Sequence, residues 1–118
     1  GAIAPGLKLM LAALHEHTAQ LPALEFDQPV SDRGPLGKDT AHAMQLGVQA
    51  SARGLVRQLL EEYAEFYGGY PQVVATGGDA PALFLQQGES DGVVEHIVPD
   101  LQLIGIQACV QAAAEAEA

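Results

Sequence analysis

The sequence predicts an α/β fold that is rich in helix and carries a small pair of parallel strands. Three observations lead there. Val73, Val74 and Ala75 run without an intervening polar residue, the pattern of a strand covered on both faces. Val93 to Val98 forms a second strand, halted by Pro99. Between them Pro81 to Gln87 is compatible with helix, so Gln72 to Val98 reads as a right-handed β-α-β crossover.

The 118 residues allow one small domain. With 48% hydrophobic and 17% charged residues, the chain should fold around a core. Its net charge of -10 would repel a phosphate backbone or an anionic lipid surface, so neither nucleic acid nor membrane is an expected partner. Cys109 is the one cysteine, which rules out an internal disulfide; its simplest role is a small buried apolar residue.

The opening segment places Ile3, Leu7, Met10, Leu11, Leu14, Thr18 and Leu21 at helical spacing, so a helix is expected from near Pro5 to Leu21. Lys8 and His15-Glu16-His17 interrupt it, leaving it too short to cross a bilayer, and it has neither the basic leader nor the cleavage signal of a secretion peptide. It begins inside an apolar stretch with no capping residue, the mark of a chain cut in mid-architecture. His15 and His17 sit two apart, so on a helix they diverge and cannot share one ion. His42 and His96 lack partners at ligand spacing, and no metal site is assigned.

Residues 22–36 lose periodicity and read as a connector, with a short extended piece at Ala23-Asp27. A long helix then starts at Gly37-Lys38-Asp39-Thr40 and ends near Tyr67, before Gly68-Gly69. Met44, Val48, Leu55, Leu59, Tyr63 and Phe66 form its apolar stripe, and Arg57 and Glu61 an i,i+4 pair on the wet side. Gly47 and Gly54 lie seven apart on one face, which suggests close approach of another backbone, from this chain or a second copy, the alternative being an accidental bend. Thr40 has two roles open to it. As an N-cap it would contribute about 1 kcal/mol; if Asp39 caps instead, Thr40 is free to face a ligand.

Beyond the first strand comes Thr76-Gly77-Gly78, at the strand's carboxyl end, where ligands bind in parallel sheets. Its glycines permit positive φ and let a ligand lie against the backbone, ahead of a helix N-terminus suited to phosphate or a nucleotide. A plain strand-to-helix turn would use the same residues. Gly88 to Gly92 reads as a polar loop. A last helix opens at Pro99-Asp100, runs through Leu101, Leu103, Ile104, Cys109 and Val110, and frays at Ala112-Ala118. Two strands cannot cover each other on both faces, so further strands are expected outside this sequence.

Four segments, in order and in register, carry a family resemblance: Gly1-Ala2-Ile3-Ala4-Pro5-Gly6, Gly37-Lys38-Asp39-Thr40 with Ala43-Met44-Gln45, Ala75-Thr76-Gly77-Gly78, and Pro99-Asp100-Leu101. Together they resemble the C-terminal half of type III pantothenate kinases, some of which are called Bvg accessory factors. The resemblance implies the C-terminal ribonuclease-H-like half of an acetate and sugar kinase/Hsp70/actin-type fold, with residues 1–118 a single partial domain. It implies a cytoplasmic enzyme that transfers the ATP γ-phosphate to pantothenate in coenzyme A synthesis. A divalent cation (Mg) and a monovalent one (K or NH4) would be bound mainly by the other half.

The same resemblance makes Thr40 a pantothenate contact, puts Thr76, Gly77 and Gly78 on the adenosine side, and implies a homodimer through the long helix at Met44, Gly47 and Gly54. No catalytic residue is expected here. The family's Asp-x-Gly-Asn-Thr loop and the Gly-x-Asp-Arg segment that carries its general base are absent from residues 1–118, so this piece alone should transfer no phosphate. The sequence also departs from the family at Asp39, usually Asn, at Leu46-Gly47, usually Ser-Gly, and at Gln49-Ala50-Ser51-Ala52, usually Tyr-Gly. A non-catalytic regulatory or protein-binding relative is therefore the alternative.

Overall fold

The computed structural model describes residues 1–29, 33–86, 89–90 and 92–118. Parts of the expected connector at 22–36 and polar loop at 88–92, and the expected helix end at Gln87, lie outside the described residues. The chain divides into two compact units, Gly1–Pro71 and Gln72–Ala118.

The first unit is built from two helices. α1 spans Leu7–Glu16, and its i,i+4 residues Leu7 and Leu11 are fully buried. It stops short of the expected Leu21. Beyond the His17 cap the Thr18 hydroxyl donates back to the Leu14 carbonyl. The His15 ring lies 2.7 Å from the Leu21 carbonyl through Nδ1, which turns the chain back on itself. These local bonds satisfy carbonyls that a longer helix would have used.

α2 spans Thr40–Tyr67, as the periodicity predicts. The Asp39 side chain caps it, accepting from the His42 amide at 2.8 Å, so Thr40 is the first helical residue and not the cap. Gly68, at φ +72°, ends it, and the Gly68 and Gly69 amides both donate to the Ala64 carbonyl. The expected apolar stripe is buried only at its start, at Met44 and Val48, whereas Phe66 is 81% exposed. The reason is length: at 1.5 Å per residue α2 runs about 42 Å and α1 only about 15 Å. The extended piece at 23–27 is not a strand. Instead the Gln45 amide donates to the Glu25 carbonyl at 2.8 Å and accepts from the Asp27 amide at 3.2 Å, doing the work of a neighbouring strand.

The second unit pairs β1, Val74–Ala75, with β4, His96–Ile97, in parallel, with Val74 opposite His96 and Ala75 opposite Ile97. Both strands are shorter than expected, and Val74 is 44% exposed rather than covered. A two-stranded sheet offers no neighbour to cover that face. Between them α3 spans Ala80–Phe84 and ends earlier than expected. The chain then enters a hairpin of β2, Leu85–Gln86, and β3, Glu89–Ser90, where a loop was expected. Ala80, Phe84 and Val94 form the buried core of this unit.

α4 spans Leu101–Glu117, so the alanine-rich tail is helical and does not fray, in keeping with alanine's propensity. None of its residues is buried; Leu101, Leu103, Ile104, Ile106 and Val110 are all exposed, and so is Cys109, against expectation. No described helix is long and apolar enough to cross a membrane.

His42 is the one buried polar residue of the described core, 5% exposed, and neither ring nitrogen has a hydrogen-bond partner. An orphaned buried donor or acceptor costs about 1–3 kcal/mol. His42→Leu should therefore stabilise the chain by about 1–2 kcal/mol, read as a higher denaturant midpoint at unchanged slope. A lower midpoint would mean that the imidazole is satisfied.

Candidate functional site

Because Asp39 takes the capping role, Thr40 is left exposed at the first position of α2, and its hydroxyl bonds to no group among the described residues. It stands on the wall of a cavity of about 840 Å³ within the first unit. Met10, Leu14, Met44 and Val48 supply apolar wall. His17, Thr18 and Ser51 are the other polar side chains around it. The Thr18 and Ser51 hydroxyls donate to the carbonyls four residues back, that of Ser51 to Gly47 at 2.9 Å. Thr40 therefore carries the hydroxyl with no internal use.

Gly47 lies on the same wall, and a methyl group built there would meet nothing within 4 Å. Among the described residues the close backbone suggested at Gly47 and Gly54 is thus not found, since Gly54 faces open space as well. Gly54 borders a different groove, so Thr40, Met44 and Gly47 come together and Gly54 does not. His17 falls just past the end of α1 rather than on the helix expected to run to Leu21. It reaches the cavity because the helix stops at Glu16, an ending that periodicity does not reveal.

The Asp39 carboxyl is held below the usual aspartate range, first by the His42 amide and next by the Arg33 guanidinium, which donates to Oδ2 at 2.5 Å. The expected Arg57–Glu61 pair does not form: both Glu61 oxygens accept from the Tyr70 hydroxyl, at 2.8 and 3.0 Å. That contact raises the Tyr70 pKa, the hydrogen bond to Glu61 being the main cause.

In the second unit Thr76, Gly77 and Gly78 form an exposed turn after β1. Only Gly77 has positive φ, +105°, and neither glycine has an atom within 4 Å of where a methyl would stand. A ligand can therefore lie against this backbone. The Thr76 hydroxyl makes a long contact of 3.5 Å to the Pro99 carbonyl. At five residues α3 aligns few peptide dipoles behind the turn, which weakens the case for phosphate there. Among the described residues no three His, Cys, Asp or Glu side chains cluster as a metal site requires.

The sequence model of a family described as type III pantothenate kinase matches residues 1–62. The chain is 38% identical over 111 residues to a type III pantothenate kinase of Saccharopolyspora erythraea, covering 91% of this chain and 39% of that protein. It is 41% identical over 106 residues to that of Rhodospirillum rubrum, covering 90% and 38%. With that of Akkermansia muciniphila the identity is 40% over 107 residues, covering 91% and 41%. The chain thus spans about two-fifths of the length of these relatives.

The electrostatics at Asp39 give a pH test. Its folded-state pKa lies below the unfolded value, so its contribution is present above the ordinary 3.8 and is lost as pH falls through the lower folded value. Asp39→Asn keeps an oxygen for the cap but cannot carry the charge. Wild type should be the more stable at neutral pH, with the difference closing below 3.8 in acid titrations followed by helical circular dichroism. A gap that stays constant into strong acid would show that the charge contributes nothing.

Proposed function

The chain belongs to the type III pantothenate kinase family, and we propose that it is part of an ATP-dependent pantothenate kinase that phosphorylates pantothenate for coenzyme A synthesis. The observation that carries the reading of the site is Thr40: exposed, relieved of capping by Asp39, and set on the wall of a large cavity. In this reading its hydroxyl bonds a polar group of pantothenate, while the cavity's apolar walls take the carbon skeleton. The turn at Thr76, Gly77 and Gly78 lies on the adenosine side, where the open glycine backbone accepts a flat ligand.

Phosphoryl transfer needs a base for the attacking hydroxyl and a cation for the developing charge. The described residues include no carboxylate cluster for a divalent ion. In this proposal the base, the divalent cation and the monovalent cation are supplied mainly by the other half of the enzyme, and the role of this piece is to bind and orient. The proposal includes a homodimer through the long helix at Met44, Gly47 and Gly54; the open space beside Gly47 and Gly54 supports it, whereas Met44 is buried within the chain itself. The same proposal has residues 1–118 as part of a two-lobed actin-type fold, in which other strands and helices cover Val74 and α4.

The test is ATP-dependent phosphorylation of pantothenate by the full-length protein. Activity is expected there and none from residues 1–118 alone; well-folded full-length protein that lacks it would favour a regulatory relative. Within the active enzyme, Thr40→Val should raise the KM for pantothenate by about tenfold, the scale of one lost hydrogen bond, with the KM for ATP unchanged. Equal KM values in both proteins would remove Thr40 from the site.

A further inference from the structure

A second groove on α2 has a chemistry unlike the first. It holds about 430 Å³ and is lined by Leu46, Gln49, Ala50, Arg53, Gly54 and Arg57, with Pro35 at its edge. Gln49, Arg53 and Arg57 are spaced by four and form one row along the helix; neighbours in such a row lie about 6 Å apart. Two of the chain's five basic residues thus line one small groove in a molecule of net charge -10.

The two arginines differ in what they are free to do. Arg53 is half-buried and already engaged by the fold, so it is the less available of the two. Arg57 is exposed and has no ion pair or hydrogen bond among the described residues; the Tyr70 hydroxyl holds the carboxylate one turn further on, that of Glu61. Gly54 keeps the floor open, since a side chain there would begin to fill the space between the rows. The acidity of the rest of the chain does not cancel this arrangement. Exposed charges beyond about 8 Å are screened at physiological salt, and the nearby guanidinium groups dominate. A guanidinium fork matches the planar spacing of carboxylate and phosphate oxygens, and Gln49 adds a neutral amide donor.

We propose that this groove binds an oxyanion, the carboxylate or phosphate group of a small soluble ligand, with Arg57 as the main contact and Arg53 and Gln49 in support. The assignment is independent of the kinase reading, because it rests on a groove that Thr40 does not line.

The experiment is a titration of the full chain with inorganic phosphate and, separately, malonate, at constant ionic strength, followed through the Gln49 side-chain amide by nuclear magnetic resonance. A saturable shift is expected, and the tighter of the two anions identifies the class of ligand. Arg57→Gln and Gly54→Leu should each weaken binding by about tenfold or more, while Lys8→Gln, the same charge change outside the groove, should leave it intact. No saturable shift, or equal shifts in wild type and Arg57→Gln, would overturn the proposal. So would a shift that follows protein dilution and sedimentation instead of added anion, since an acidic side chain of a second copy would then fill the groove.

Discussion

One carboxylate organises the first unit. Asp39 accepts the His42 amide with one oxygen and the Arg33 guanidinium with the other, which sets where α2 begins and ties residue 33 to that point. A helix turns about 100° per residue, so the starting point settles which side chains face which neighbour. From this start Met44 and Val48 fall into the core, Gln45 meets the extended connector, and Thr40 is left outside it.

The distribution of apolar surface follows from element lengths. A short α1 buries only the beginning of a long α2, and Phe66 and Tyr67, in edge-to-face contact at 4.9 Å between ring centroids, stay exposed at the far end. In the second unit, two strand pairs and a five-residue helix bury Ala80, Phe84 and Val94, and α4 buries none of its own residues. A helix apolar on all sides is a core element by composition. Its exposure fits a chain that spans about two-fifths of its relatives' length.

The two grooves on α2 show how one helix can present different chemistry around its circumference. The Thr40 cavity is mostly apolar with a few hydroxyls, suited to a ligand held by shape and one or two hydrogen bonds. The Arg57 groove is smaller and cationic. The difference arises from a 3.6-residue repeat that sends residues 40, 44, 47 and 51 to one side and 49, 53 and 57 to another.

The sequence by itself determined the elements with strong local signals. The 28 residues of α2 were legible because periodicity, the Gly37-Lys38-Asp39-Thr40 start and the Gly68 stop all agree. The parallel pairing of β1 with β4 was legible from the apolar run at Val73 to Ala75 and the crossover to the segment that Pro99 halts, and the family from four short segments in register. Tertiary structure decided what depends on competing hydrogen-bond partners, near and remote in sequence. Gln45 replaces a strand for the connector, Tyr70 takes Glu61 from Arg57, and Asp39 displaces Thr40 from the cap. Each is a competition between hydrogen-bond acceptors or donors of similar strength. Periodicity reports which face a residue is on, whereas the winner of such a competition is set by distances that only the folded chain defines.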